Sequence, residues 1–194
     1  MVEGTGCYAF VRNSVKGVSL ADPSRHLSLV LGGARSGKSR HAEALFTDLP
    51  PPWIYVATGL AGDEEMRRRI AEHRARRDRS WQTVEAPVAL GEALDAAGTA
   101  PVLVDCLTLW LTNLLLGEHE IEAAVRALEA ALERRAGPTV LVGNEVGLGI
   151  VPENALARRF RDEAGRLHQR LAARADHVVL VAAGLPLVLK ETRR

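Results

Sequence analysis

Leu27-Ser28-Leu29-Val30-Leu31-Gly32-Gly33-Ala34-Arg35-Ser36-Gly37-Lys38-Ser39 opens the organised part of this 194-residue chain and decides its fold. The run Leu27 to Leu31 is apolar and bounded by Gly32-Gly33, which reads as a buried strand. A helix is expected from Lys38 to about Phe46, stopped by Asp48 and the prolines at 50, 51 and 52. Between them, Gly32, Gly33, Ala34, Arg35, Ser36, Gly37, Lys38 and Ser39 fit G-x-x-x-x-G-K-[ST], the phosphate-binding loop of nucleotide-binding proteins. Glycines let the backbone curl so that successive N–H groups converge on phosphate oxygens. The helix N-terminus adds partial positive charge at the same point. Lys38 is placed to reach the β- and γ-phosphates, and the Ser39 hydroxyl to ligate Mg²⁺. The competing reading is a glycine-rich turn with an exposed lysine. The complete pattern in a strand-to-helix context weighs against it.

Outward from this loop, strands and helices alternate. Further strands are expected at Trp53–Thr58, Trp81–Glu85, Pro101–Asp105, Thr139–Val142, His177–Ala182 and Leu187–Leu189. Helices are expected in the charged segment from Asp63 to Arg79, at Pro87–Ala96, Leu107–Leu116, Glu120–Arg135, and from Pro152 onward. The last presents Leu156, Phe160, Ala164, Leu167 and Leu171 as its apolar face, with His168 off it and given no function. This alternation predicts an α/β fold with a mainly parallel sheet and an antiparallel C-terminal edge hairpin. With the phosphate loop, that is the three-layer P-loop NTPase sandwich of RecA-like type. Residues 1–26 read as an extension, partly ordered at best, 27–190 as one catalytic domain, and 191–194 as a tail.

Composition narrows the function. Lys+Arg number 25 and Asp+Glu 24, a formal net charge of +1, so no positive field attracts a nucleic acid. Aromatic residues are 4% of the chain, too few for a base-stacking platform. No apolar run approaches the ~18 residues of a membrane span, and no signal peptide is expected. Cys7 and Cys106 form no CxxC pair or Cys/His cluster, which points to reduced thiols in a cytoplasmic enzyme rather than zinc or a disulfide framework.

Two further residues invite chemistry. Asp105 ends an apolar strand, where P-loop proteins place an acid that holds the Mg²⁺ shell. Met66, Ile70 and His73 are spaced four and three apart and share one face of the charged helix. By pattern alone His73 is more simply a partly buried structural histidine. The alternative is a nucleophilic imidazole that attacks phosphorus, with Arg69, Arg74, Arg76 and Arg77 neutralising phosphate oxygens. His41 lies on the first helix, three residues after Lys38, with an approach to the phosphates and a surface role equally open.

Four stretches together carry a resemblance: LGGARSGKSRHAEAL at 31–45, RIAEHRARRDRSWQTVEAP at 69–87, VDCLTLWLTNLL at 104–115, and GNEVGLGIVPEN running on through 190. They resemble the bifunctional adenosylcobinamide kinase/adenosylcobinamide-phosphate guanylyltransferase family of cobalamin biosynthesis. The resemblance implies two reactions. ATP or GTP phosphorylates the aminopropanol hydroxyl of adenosylcobinamide. GTP then transfers GMP to that phosphate through a guanylylated histidine, giving adenosylcobinamide-GDP and pyrophosphate. His73 occupies the matching position, so the resemblance makes His73 and Lys38 the catalytic residues. It also implies nucleotide contacts from Thr58, Gly59, Arg76, Arg77 and Glu85, beside Asp105, and a homotrimer. Asn144 and Glu145 either bind the corrinoid arm or fix the following loop. Two rivals make other predictions: a simple P-loop small-molecule kinase has no use for His73, and a RecA-like nucleotide-gated ATPase has no small-molecule acceptor.

Overall fold

The computed structural model describes residues 26–75 and 77–192. The extension assigned to 1–26 therefore lies, but for His26, outside the described residues, as does Arg76. The strands are β1 (Leu27–Gly32), β2 (Trp53–Ala57), β3 (Trp81–Glu85), β4 (Val102–Asp105), β5 (Thr139–Asn144), β6 (His177–Ala182) and β7 (Leu185–Glu191). The helices are α1 (Lys38–Ala44), α2 (Glu64–Ala75), α3 (Leu90–Ala96), α4 (Leu107–Leu116), α5 (Ile121–Arg134) and α6 (Ala155–Arg174). All seven strands form one sheet in the order β3-β2-β4-β5-β1-β6-β7. Every neighbouring pair is parallel except β6 with β7, which closes one edge as an antiparallel hairpin. The fold is the expected P-loop NTPase sandwich of RecA-like type.

β1, β4 and β5 are mostly apolar because both faces of the sheet are covered there. Leu29, Val104 and Leu141 face a large core with Leu107, Trp110 and Leu111 of α4, Leu128 of α5, and Leu167 and Leu171 of α6. Val30, Leu103, Val140 and Val142 face a smaller core with Ala42 of α1, Phe46 and Tyr55. The parallel register leaves the C-terminal ends of β1, β4 and β5 side by side at one edge. Ligands of such sheets bind there.

Several boundaries differ from expectation for local reasons. α1 ends at Ala44 because Leu45 and Phe46 turn tightly, their N–H groups reaching back to Ala42 and Glu43. α3 begins at Leu90 rather than Pro87, because the carbonyls of Pro87 and Val88 accept from Asn113 and Trp110. α6 begins at Ala155: the Asn154 side chain caps it, accepting from Leu156 and Ala157 N–H. Leu156, expected on the apolar face, is exposed in that first turn, while His168 is buried. Gly143 makes room for it, since a Cβ there would lie 2.7 Å from His168 Nε2. β7 is longer than expected and pairs with β6 out to Glu191. Arg135 is buried and donates to Thr139 Oγ1 and to the carbonyls of Leu94, Gly98 and Ala100. Burial pushes its pKa down to about 10, so it stays charged at neutral pH.

Candidate active site

The loop from Gly33 to Gly37 leaves the C-terminal end of β1, and α1 begins at Lys38. Gly37 has φ +94, a conformation that suits glycine, and a Cβ there would meet Gly184 Cα at 3.2 Å. A Cβ on Gly32 would lie 2.5 Å from both Ser36 Oγ and the Val181 carbonyl. The β6–β7 turn presses on the loop from outside, with Gly184 N–H donating to the Ser36 carbonyl at 2.8 Å. Lys38 is 5% exposed, and its Nζ donates to the Gly33 carbonyl at 3.1 Å, folded over the loop where phosphates would lie. Ser36 Oγ is buried with no partner among the described residues, a polar atom the cradle leaves for its ligand.

Asp105 stands at the end of β4, with its side chain 10% exposed. Tyr55 Oη donates to its Oδ2 at 3.0 Å, and His73 Nδ1 lies 3.7 Å from the same oxygen. Burial pushes the Asp105 pKa up, but the polar contacts with His73, Ser39 and Tyr55 outweigh it and hold the carboxyl below its usual value. Burial, and then the neighbouring Asp105 charge, push the Tyr55 hydroxyl up, so it remains a donor. The structure thus brings together Lys38, Ser39, Asp105 and His73, which come from three separate parts of the sequence. The expected face of α2 is real: Met66, Ile70 and His73 are its half-buried residues, and Arg77 continues the stripe beyond the helix end.

The other expected contacts divide. Arg77 lies inside the cluster, its guanidinium carbon 3.5 Å from the Tyr55 ring centroid. Thr58 is fully buried, and its hydroxyl is spent on the Cys106 backbone, donating to the carbonyl at 2.7 Å and accepting from N–H at 2.8 Å. It ties β2 to the chain directly after Asp105. Gly59 lets Leu109 and Ile70 approach, so α2 can rest at the sheet edge. Glu85 lies at the exposed end of β3, in an ion pair with Arg74 at 3.3 Å. Asn144 donates to Thr108 Oγ1 at 2.8 Å, and Glu145 N–H to the Gly32 carbonyl at 3.0 Å. The Glu145 carboxylate accepts from Gly147 N–H and so braces the start of the following loop, while Asn144 is tied to α4. His41 lies near enough to His177 to lower its pKa, and His177 begins β6 at the end of the sheet away from the phosphate loop. Cys106 is a free, buried thiol that burial pushes up in pKa. Residues without a local sequence signal complete the site: Tyr55, Asn113, which donates to the Thr58 carbonyl, and Gly184.

A phosphate loop after β1, a carboxylate at the end of β4, one strand removed in the sheet, and an imidazole over that carboxylate define a P-loop enzyme that acts on nucleoside triphosphates. Residues 28–189 match the family model for cobinamide kinase / cobinamide phosphate guanyltransferase, and the chain belongs to that family. It is 52% identical over 166 residues to the bifunctional adenosylcobalamin biosynthesis protein CobP of Pseudomonas aeruginosa, covering 84% of this chain and 96% of the relative. It is 46% identical over 180 residues to the bifunctional adenosylcobalamin biosynthesis protein CobU of Salmonella typhimurium, covering 84% and 98%. Among solved structures, protein PH0250 of Pyrococcus horikoshii OT3 superposes with a TM-score of 0.51 at 10% identity over 88% of each chain, a likeness of fold alone. No helix among the described residues is long and apolar enough to cross a membrane.

Proposed function

We propose that this enzyme phosphorylates the aminopropanol hydroxyl of adenosylcobinamide from ATP or GTP, and then transfers GMP from GTP to that phosphate through His73. The observation that carries the second step is the position of the imidazole, with Nδ1 3.7 Å from Asp105 Oδ2 beside the phosphate loop. That distance is too long for a hydrogen bond, but a small movement of α2 makes one. With its proton on Nδ1 facing the carboxylate, the ring offers the Nε2 lone pair as nucleophile. Nε2 attacks the α-phosphorus of GTP. A P–N bond forms, the α–β bridging P–O bond breaks, and pyrophosphate leaves. The phosphate oxygen of adenosylcobinamide phosphate then attacks the same phosphorus and expels the imidazole. Lys38 and the loop amides hold the departing charge in both reactions.

Mg²⁺ fits the residues present. The Ser39 hydroxyl and the Asp105 carboxylate are hard oxygen donors side by side, and the carboxyl is held ionised. Among the described residues no cluster of His, Cys, Asp or Glu forms a complete metal cage. That suits an ion that keeps waters and takes its other ligands from phosphates. Bound there, Mg²⁺ supplies neutralisation of charge on the phosphates. The homotrimer implied by the resemblance and a cytoplasmic location belong to the same reading. Leu185, Leu187 and Leu189, exposed along edge strand β7, offer apolar area for subunit contact.

The test is covalent labelling. The protein incubated with Mg²⁺ and GTP labelled at the α-phosphate retains acid-labile, base-stable label. His73→Asn retains none and still phosphorylates adenosylcobinamide. Label retained by that variant removes His73 from the reaction, and an unlabelled wild type that binds GTP reduces the protein to a simple kinase.

A further inference from the structure

Tyr55 sits in β2 two residues before Ala57, and Ala57 pairs with Asp105 across the β2–β4 ladder. Tyr55 and Asp105 therefore project to the same face of the sheet, and the phenol reaches up the face to the carboxylate. The side chain is 4% exposed and does two things at once. Its hydroxyl donates to Asp105 Oδ2, the oxygen that faces His73. Its ring face carries the Arg77 guanidinium at 3.5 Å. Arg77 lies in the link between α2 and β3, four residues after His73, so the stack holds the far end of the His73-bearing segment. We propose that Tyr55 is the positioning residue of the guanylyl-transfer step: one side chain orients the carboxylate that faces His73 and anchors the segment that delivers His73. This rests on the reading of His73 as the nucleophile.

A plain packing role explains less. A buried tyrosine needs some partner for its hydroxyl, and it stands among Phe46, Trp53 and Trp81, with Trp81 edge-on at 6.1 Å. Packing alone does not select the one carboxylate that also faces His73 and Ser39. Nor does it account for Arg77, whose Nε and Nη1 are buried with no hydrogen-bond partner among the described residues. Leaving charged donors unpaired in the interior is costly, and the ring face offsets part of that cost by attraction to the cation. The stack keeps the guanidinium beside the site where triphosphate charge arrives. Misplacement of a reacting group by about 1 Å is enough to slow chemistry on the order of a hundredfold.

Two full-length variants separate these roles. Tyr55→Phe keeps the ring, the aromatic cluster and the stack, and removes the hydroxyl, with its bond to Asp105 and its polar contact with Arg77. Tyr55→Leu removes the stack as well. Each is measured for single-turnover formation of the covalent GMP adduct from α-labelled GTP, for its KM for GTP, and for γ-phosphate transfer to adenosylcobinamide. The nitrogen NMR shifts of a ¹⁵N-labelled His73 ring are recorded at one fixed pH. The expected result for Tyr55→Phe is adduct formation slowed about 10- to 100-fold. KM for GTP should change less than threefold, kinase loss should stay below fivefold, and the imidazole should shift from one tautomer toward a mixture. Tyr55→Leu should slow adduct formation further. Adduct formation by Tyr55→Phe within twofold of wild type overturns the proposal, as does an equal loss of both reactions or an unchanged imidazole spectrum. If Tyr55→Leu fails to fold, Tyr55→Phe decides alone. A wild type that forms no adduct overturns the His73 reading, and this proposal with it.

Discussion

The two arms of the site are built differently. The phosphate loop is gripped from every side: β1 lies between β5 and β6, and Val181, Gly184 and Glu145 all touch the loop or its approach. α2 has no fully buried residue among those described, and it rests on the sheet edge through the half-buried Met66, Ile70 and His73. Its first turn carries Glu64 and Glu65 and its last turn Arg74, so the helix is stabilised by its own dipole more than by packing. In the proposed reaction a firmly packed cradle holds the triphosphate, and a lightly held helix brings His73 to it. Weakly packed elements are the ones free to move during turnover. On the proposed reading, with both reactions at one site, such a helix lets the imidazole approach for one reaction and withdraw for the other.

The comparison can be broken at three points, in falling order of effect. Lys38→Ala attacks the cradle, which in the proposed mechanism serves both reactions. Phosphoryl transfer and adduct formation should each fall roughly 10²- to 10³-fold in steady-state and single-turnover assays. Loss of only one of them would mean that the two reactions do not share the loop. Ile70→Ala attacks the arm. The side chain is half-buried and lies close to Gly59, so docking should weaken by about 1–2 kcal/mol, less than a fully buried truncation. Adduct formation should slow about tenfold while the kinase rate stays within twofold. Amide hydrogen exchange should quicken across α2 and not in α1, and equal exchange in both helices of the wild type would refute the contrast.

The smallest effect concerns neither arm. His177 is 2% exposed with both ring nitrogens buried and unpartnered among the described residues, and burial lowers its pKa. His26 and His41 lower it further and Glu191 opposes them. The folded state therefore binds fewer protons than the unfolded chain below the ordinary histidine value of 6.5. This contribution to stability is complete above that pH and is lost as pH falls from there through the depressed folded value. Tm should decline over that interval, and His177→Gln should flatten the decline without changing adduct formation. An unchanged slope in calorimetry would show that His177 does not set it.

What was legible in the sequence follows the range of the signal. The phosphate loop is local, so its residues, the strand before it and the helix after it are all written within 27–44. Asp105 was legible because it ends an apolar strand. His73 is ambiguous in its own helix, and only the resemblance favours a nucleophile over a structural histidine there. Tyr55 gave no sign, since its bond to Asp105 spans 50 residues and exists only because β2 and β4 are neighbours in this register. Thr58 was expected at the nucleotide, yet its hydroxyl is taken up by the Cys106 backbone, a partner that no motif announces.

The hydrogen bond from Gly184 to Ser36 has a temporal consequence. A ribosome delivers the glycine-rich motif early, yet the strand that flanks β1 and the turn that props the motif emerge some 140 residues later. A nascent chain halted before β6 carries every letter of the signature and the β5 side of its support, but not the β6 strand or the turn that props it. The loop is thus fully braced only in the nearly finished polypeptide, and a chain truncated before β6 should hold nucleotide more weakly than the full chain.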